Sequence, residues 1–458
     1  MPLALRVGGV LASTLFLLAP AIWNRFPLLQ YDTGGYLARW YEGYLVPSRS
    51  TVYGLFLTLL SWADFWPVVI VQSALTVWVL ALMLRALGFG GRPLLLPGVT
   101  AALCLFTTLP WLSAILLTDI FAALAVLAAF LLMFNFEALS RFERRALVAL
   151  IAFSVATHSA TFAVVLALML VTALAWRFGR VGARNGIVQS GMALALGAVL
   201  LLGANCVTSG RLAWTPGGIA LSFGRMLQDG IVVRYLDEHC PDKRLRLCAY
   251  RRELPTDADA FFWSGDGTVF NKLGRFAGLS DEMGLIVTES LRAYPAWQLE
   301  AAAVATLRQL VRVSTGEGVV NSVWHSYAII DKYTPNAASA MRAARQQHGE
   351  LSFDALNDIQ RPLALAAMLL LIPLMLWGSQ RQAMADFGRL AATTACALLA
   401  NAAVCGIFSN PHDRYGARLA WLAPLVVGLA AYRLYEQRKE AEAAMPVRPA
   451  VSAGGTRP

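Results

Sequence analysis

Ten runs of predominantly apolar residues, most of them 16 to 22 residues long, set the frame for this chain. About 20 apolar residues carry a helix across the hydrocarbon of a bilayer. The runs are Leu5–Trp23, Trp66–Leu87, Pro93–Leu109, Ile115–Phe136, Ala146–Thr157, Thr161–Trp176, Gly186–Val207, Pro362–Trp377, Arg389–Phe408 and Gly416–Tyr435. Only 14% of the 458 residues are charged, against about 25% in soluble domains. Lipid is therefore the expected solvent for much of the chain. The fifth run is short, and one reading pairs it with the sixth as two half-depth segments meeting near His158.

The basic residues orient these runs. With the N-terminus inside, the inner segments carry Arg6, then Arg85 and Arg92, then Arg141, Arg144 and Arg145, then Arg177, Arg180 and Arg184. Arg381 and Arg389 follow, and Arg433, Arg438 and Lys439 close the series. The short opposite connections are mostly free of basic residues, apart from Arg25, Arg39 and Arg49 in the first and Arg414 in the last. This alternation matches the positive-inside rule and places both termini in the cytoplasm. The net charge of +10 is thus accounted for by loops and gives no support to nucleic-acid binding. The N-terminus has signal-peptide features, with Ala19-Pro20-Ala21 after an apolar run. The length of the run and Pro20 favour a retained span.

The expected fold is an all-α polytopic membrane bundle of about 10 transmembrane helices. A mostly helical extracytoplasmic domain at 208–361 enters between spans 7 and 8. The bundle divides into an N-terminal module at 1–207 of about seven spans and three C-terminal spans at 362–435. A charged and then Ala/Pro/Gly-rich tail at 436–458 is expected to be disordered. The aromatic first outer loop (Tyr31, Tyr36, Trp40, Tyr41, Tyr44, Tyr53) predicts interfacial helices at 30–62. In the outer domain, Pro216-Gly217-Gly218 reads as a turn, and Pro295–Val313 as an amphipathic helix resting on the membrane or on the bundle. Cys240 and Cys248 close a short polar loop and form a disulfide if that loop lies outside the cytoplasm. A metal site using His239 is the alternative.

Charges near a membrane are costly, so each calls for a reason. Asp32, Asp119, His158, and the group His412, Arg414 and Arg418 all fall at one depth if the topology holds. Arg49 lies on the same side. Carboxylates, imidazoles and guanidiniums at one depth suit chemistry on a lipid phosphate. A carboxylate takes a proton from an acceptor hydroxyl, and arginine holds a phosphate oxyanion. Plainer readings stand beside these. Asp32 and Asp119 are also positioned to cap helices, His158 to pack, and Arg414 and Arg418 to snorkel to headgroups. Glu289 and Glu317 read as surface acids. Motifs for nucleotide phosphates, dinucleotides, zinc proteolysis and serine hydrolysis are missing from the sequence.

The layout resembles the GT-C superfamily of membrane glycosyltransferases, in its protein-mannosyltransferase and aminoarabinose-transferase-like branch. Asp32 with Tyr36 matches the Asp-x-x-x-Tyr that follows the first span. Thr118-Asp119 before a long apolar helix is similar to the second outer-loop acid. Pro47-Ser48-Arg49-Ser50-Thr51-Val52-Tyr53 looks like the segment before the second span, and Arg414-Tyr415 like the Arg-Tyr segment before a late helix. Gly35 stands where the family often has an arginine. The resemblance covers 1–207 and 409–435. It implies an inverting transferase that moves a sugar from a polyprenyl-phosphate donor to a glycan, lipid or protein acceptor outside the cytoplasm. It further implies Asp32 and Asp119 as catalytic acids, with a divalent cation between them in some relatives. Tyr36, Arg49, His158, His412, Arg414 and Arg418 would contact substrate or lipid phosphate. The alternatives are a transporter or flippase of a lipid-linked saccharide, or a non-catalytic membrane scaffold. The alanine- and arginine-rich, lysine-poor composition points to a bacterial inner membrane.

Overall fold

The structure is a computed structural model that describes residues 3–45, 48–179, 181–215, 218–321 and 323–444. Pro47, the Pro216-Gly217 turn and the tail 445–458 lie outside the described residues. The fold is all-helical, at 78% helix with no strands among the described residues.

The first half runs through α1 (Leu3–Asn24), α2 (Thr33–Glu42), α3 (Thr51–Leu59), α4 (Trp66–Ala86) and α5 (Leu95–Phe106). It continues through α6 (Leu109–Ala114), α7 (Asp119–Phe134), α8 (Arg141–Thr157), α9 (Ser159–Gly179) and α10 (Arg184–Ser209). Then comes a capping region of short helices: α11 (Gly218–Gln228), α12 (Ile231–His239), α13 (Ala258–Trp263), α14 (Val269–Lys272), α15 (Arg275–Ala293), α16 (Pro295–Val311), α17 (Trp324–Tyr333) and α18 (Ala338–Arg342). The chain closes with α19 (Asp354–Gln380), α20 (Ala385–Phe408), α21 (Asp413–Ala420) and α22 (Leu422–Ala444).

Seven segments are long and apolar enough to cross a membrane: Ala4–Asn24, Trp66–Ala86, Ser159–Gly179, Arg184–Ser209, Asp354–Gln380, Gln382–Phe408 and Asp413–Ala443. The other three expected spans are shorter helices, α5, α7 and α8, of 12, 16 and 17 residues. The brevity of α7 has a packing reason. All of Asp119–Met133 is buried, so α7 is the axle of the bundle and touches protein on every side. A helix that is apolar all round is one that is surrounded. The helices at the rim behave oppositely. Leu170, Val171 and Leu174 on α9, Val199 and Leu200 on α10, and Leu369, Ile372 and Leu376 on α19 are exposed. Contiguous apolar surface on this scale does not suit water.

Three expectations need correction. Helix α2 is not an uncovered helix: Thr33 to Arg39 are all buried. It is covered by α17, because Gly34 lets the chain at Ser326 approach so closely that a Cβ would sit 2.7 Å from the Ser326 Cα. The half-depth pairing at His158 does not hold either. α9 has 21 residues, or roughly 32 Å at 1.5 Å per residue. Third, residues 436–444 are not disordered, since α22 runs on to Ala444.

The capping region is two units. Residues 220–287 enclose a core of their own, with Phe223, Tyr235, Leu247, Phe261, Phe270 and Met283 inside, and a Cys240–Cys248 disulfide at its edge. Val323, Ile330, Met341 and Ala344 instead join the main core of the bundle. Gln346 fastens this second unit to the first loop. It accepts from Leu29 N at 3.0 Å and donates to Leu29 O at 2.7 Å, while its own N–H reaches Asn24.

Candidate functional site

The site begins with a scrap of extended backbone. Leu28 N donates to Ala114 O at 2.9 Å and Leu116 N to Leu28 O at 3.0 Å, a single parallel bridge. Thr33 Oγ1 adds a bond to Leu116 O at 3.2 Å. Both segments of this bridge lead into helices, α2 and α7, and both helices start at or beside an acid. Asp32 and Asp119 are therefore brought together by main-chain pairing. Neither acid caps its helix: Asp32, at the N-cap of α2, and Thr118, at that of α7, make no side-chain cap bond.

Both carboxylates turn instead to a guanidinium from the far end of the sequence. Arg414 gives Nη1 to Asp32 Oδ2 at 2.6 Å and Nε to Asp119 Oδ2 at 3.0 Å. Helix α21 is held in place to deliver it. Gly416 lies so close to Arg312 O that a Cβ would fall 1.8 Å away, and Thr108 Oγ1 binds Ala417 O at 2.9 Å. One turn on, Arg418 is 1% exposed and approaches Asp119 Oδ1 to 3.9 Å. Its Nε binds Asn401 Oδ1 at 3.0 Å, and its Nη1 lies 3.4 Å from the His158 ring. Neither arginine snorkels to a surface. Asp119 Oδ1 is buried without a hydrogen-bond partner among the described residues.

Arg49 closes the chain of charges. Its Nη2 binds Asp32 Oδ1, so both oxygens of Asp32 are held by arginine. Burial pushes the Asp32 carboxyl up, but the guanidiniums of Arg49 and then Arg414 outweigh it and hold the group below the usual carboxylate range. His158 is the single residue between α8 and α9, and its Nδ1 accepts from Ala160 N at 3.2 Å. Burial, with the charges of Arg418, Arg414 and Arg49 behind it, drives His158 well below its ordinary value, so the ring is neutral. Tyr36 is buried against Tyr53, 5.3 Å between ring centres, and the Arg49 guanidinium carbon is 5.8 Å from its ring. Its hydroxyl has no partner among the described residues.

His412 sits one step outward and joins the cluster to the capping region. Its Nδ1 is 2.7 Å from Glu317 Oε1 and its Nε2 is 3.3 Å from Asp259 Oδ2. Glu317 Oε2 also accepts from Arg414 N at 2.7 Å. Gln309 clamps the His412 backbone at both ends, at 2.9 and 2.8 Å. Burial lowers His412, but the hydrogen bond and charge of Glu317, with Asp259, outweigh it and hold the imidazole above its ordinary value.

All eight of the singled-out residues, Asp32, Tyr36, Arg49, Asp119, His158, His412, Arg414 and Arg418, thus share one region. Glu317 is a correction. It is no surface acid but the partner of both His412 and Arg414. Asp259, Gln309 and Asn401 also belong to the site, and a lone polar residue in a turn or helix carries no sequence signal of its own. The donor set does not fit a divalent cation. Asp32 and Asp119 share Arg414, and no group of three or more acidic, histidine or cysteine ligands occurs among the described residues.

Two cavities flank the cluster. One is lined by Asp119, Glu317 and Arg414 together with Trp111 and Phe353. The other lies toward α3, α8 and α10 and is lined by Arg49, His158, Ser50, Asn205 and Trp214. The charged chain separates them. No protein-family profile, curated protein or solved structure matches the chain.

Proposed function

We propose that the chain is a membrane glycosyltransferase that moves a sugar from a polyprenyl-phosphate carrier to a hydroxyl of a glycan, lipid or protein acceptor. One observation carries this reading: two carboxylates and three arginines form one ion-paired chain between two cavities at the capped end of the bundle. Two cavities suit two substrates. The arginines suit a phosphate, because a guanidinium forks onto two oxyanions.

In this reaction the acceptor hydroxyl attacks the anomeric carbon from the face opposite the phosphate. The new C–O bond forms as the bond from that carbon to the phosphate oxygen breaks, inverting the centre. The hydroxyl proton passes to a carboxylate, Asp32 with Asp119 beside it, and the electron pair leaves on the polyprenyl phosphate. Arginine stabilises the charge that gathers on that oxygen. Asp119 lines the first cavity, and its Oδ1 makes no hydrogen bond among the described residues, with Arg418 3.9 Å away.

The finer topology belongs to the same proposal. Ten spans with both termini in the cytoplasm of a bacterial inner membrane put the cluster at the outer face, as in the GT-C layout that the motifs resemble. The flippase alternative finds little support, because α7, the axle of the bundle, is apolar from Ile120 to Phe134 and offers no polar path. The test is transfer itself. Purified protein is incubated with radiolabelled polyprenyl-phosphate sugars and a panel of acceptors, with wild type set against Asp32→Asn. Turnover in wild type and its loss in the variant is expected. Turnover unchanged by Asp32→Asn removes the catalytic assignment.

A further inference from the structure

The two cavities differ in charge, and the difference assigns them. The first has two carboxylates, Asp119 and Glu317, and one guanidinium, Arg414, in its wall. Among the described residues, no carboxylate lines the second. Three features there favour an anion. Arg49 supplies the charge there, and the His158 ring lies beside it. The N-terminus of α3 opens onto it, where Ser50 accepts from Tyr53 N at 3.3 Å. The 21-residue helix α9 starts there as well, with Ser159 in the wall. Helix N-termini carry partial positive charge. The Ser48 and Thr215 hydroxyls also line it.

Arg49 belongs to two places. It lines this cavity, and it is bonded to Asp32. We propose that the carboxylate-free cavity binds the phosphate ester of the donor, and that Arg49 is a shared arm that leaves Asp32 for that phosphate. The inference rests on the transferase reading and sharpens it. The exchange conserves charge: a guanidinium gives up one anion and takes another. Asp32 keeps Arg414 and loses Arg49, so the carboxylate becomes a better proton acceptor only after the donor is in place. Binding is thereby ordered, with the acceptor in the opposite cavity activated second.

The probe is a polyprenyl monophosphate in phosphatidylcholine nanodiscs holding the full-length protein, with inorganic phosphate in solution as a separate arm. Wild type is expected to bind the lipid. Arg49→Gln, and Thr215→Trp, which fills the second cavity, should each weaken binding at least about tenfold, or about 1.4 kcal/mol. Trp111→Ala, in the first cavity, should stay within about twofold. Circular dichroism and elution volume check that each variant folds, and Arg49→Lys should retain part of the affinity. Loss of lipid binding in Trp111→Ala but not in Thr215→Trp overturns the assignment and leaves the transferase reading intact. Equal occupancy by inorganic phosphate, with the same response to the variants, makes this a free-phosphate site and overturns the donor assignment. No lipid binding by wild type overturns both. Binding as expected without sugar transfer overturns only the transferase.

The arm has its own readout in the pH dependence of initial rates. Asp32 is within electrostatic reach of Arg49, Arg414, His158, Tyr36, His325 and Tyr415. If Arg49 leaves on donor binding, the acid limb of kcat lies at higher pH than that of kcat/KM for the donor, since the latter reports the free enzyme. The gap should close in Arg49→Gln. Coincident limbs in wild type overturn the hand-over.

Discussion

Replacing Arg414 by glutamine is the sharpest perturbation of the charged chain. The guanidinium makes two charge-assisted hydrogen bonds, to Asp32 and to Asp119, at 2.6 and 3.0 Å. Such bonds contribute roughly 1.5–3 kcal/mol each. The two acids differ in what remains. Asp32 keeps Arg49. Asp119 is 1% exposed and keeps only Arg418, at 3.9 Å. Breaking a buried pair by removing one partner costs about 3–5 kcal/mol, because the other charge stays behind unpaired. With Asp32 still held, the lower end applies, and Arg414→Gln should destabilise the protein by about 3 kcal/mol. If the cost comes from stranding Asp119, neutralising that acid should recover part of it. The double variant with Asp119→Asn should then be more stable than the sum of the single effects by about 2 kcal/mol. The assay is reversible unfolding in mixed micelles with increasing denaturing detergent, followed by circular dichroism and tryptophan fluorescence. A single-variant effect under about 1 kcal/mol, or effects that add within about 0.5 kcal/mol, would refute the argument.

Three further outcomes follow from the structure. His412 is held above its ordinary pKa by Glu317 and Asp259, with Arg414 opposing. The stabilisation it gives is therefore complete below the unfolded histidine value and lost as pH rises through the folded one. Thermal unfolding should fall across that window in wild type and flatten in Glu317→Gln, and an unchanged profile counts against the clamp. Gly416→Ala sets a methyl where Arg312 O stands, 1.8 Å from the ideal position. It should displace α21 with Arg414, cutting transfer at least about tenfold and costing about 1–3 kcal/mol of stability. Reducing the Cys240–Cys248 disulfide should cost the 220–287 unit about 2 kcal/mol, read as faster proteolysis there and unchanged cleavage in the bundle.

Much of this molecule is legible in one dimension. The apolar runs locate the seven long helices because lipid imposes length and composition locally. The charged residues of the cluster stand out for a related reason: a charge beside an apolar run has few innocent explanations. What escapes the sequence is set by neighbours far along the chain. The burial of α2 depends on Ser326 meeting Gly34, nearly 300 residues apart, and the aromatic residues around it fit an interface equally well by composition. Glu317 lies between glycines in a polar turn, as a solvated acid would. Its partners, His412 and the Arg414 backbone, come from another element entirely. Arg49, conversely, reads in the sequence as one phosphate contact among several, and the second cavity gives it a particular place.

The bridge at Leu28 and Leu116 has a consequence for how this chain can vary. Its bonds come from the main chain, so side chains at those two positions can drift among apolar types without disturbing the spacing of Asp32 and Asp119. Insertions are another matter. One residue added between Leu28 and Asp32, or between Leu116 and Asp119, would rotate one helix start relative to the other and take its acid away from Arg414. Divergent descendants of this protein should therefore keep both intervals fixed in length while their letters change, and a conserved count of residues would mark the site where conserved identities do not.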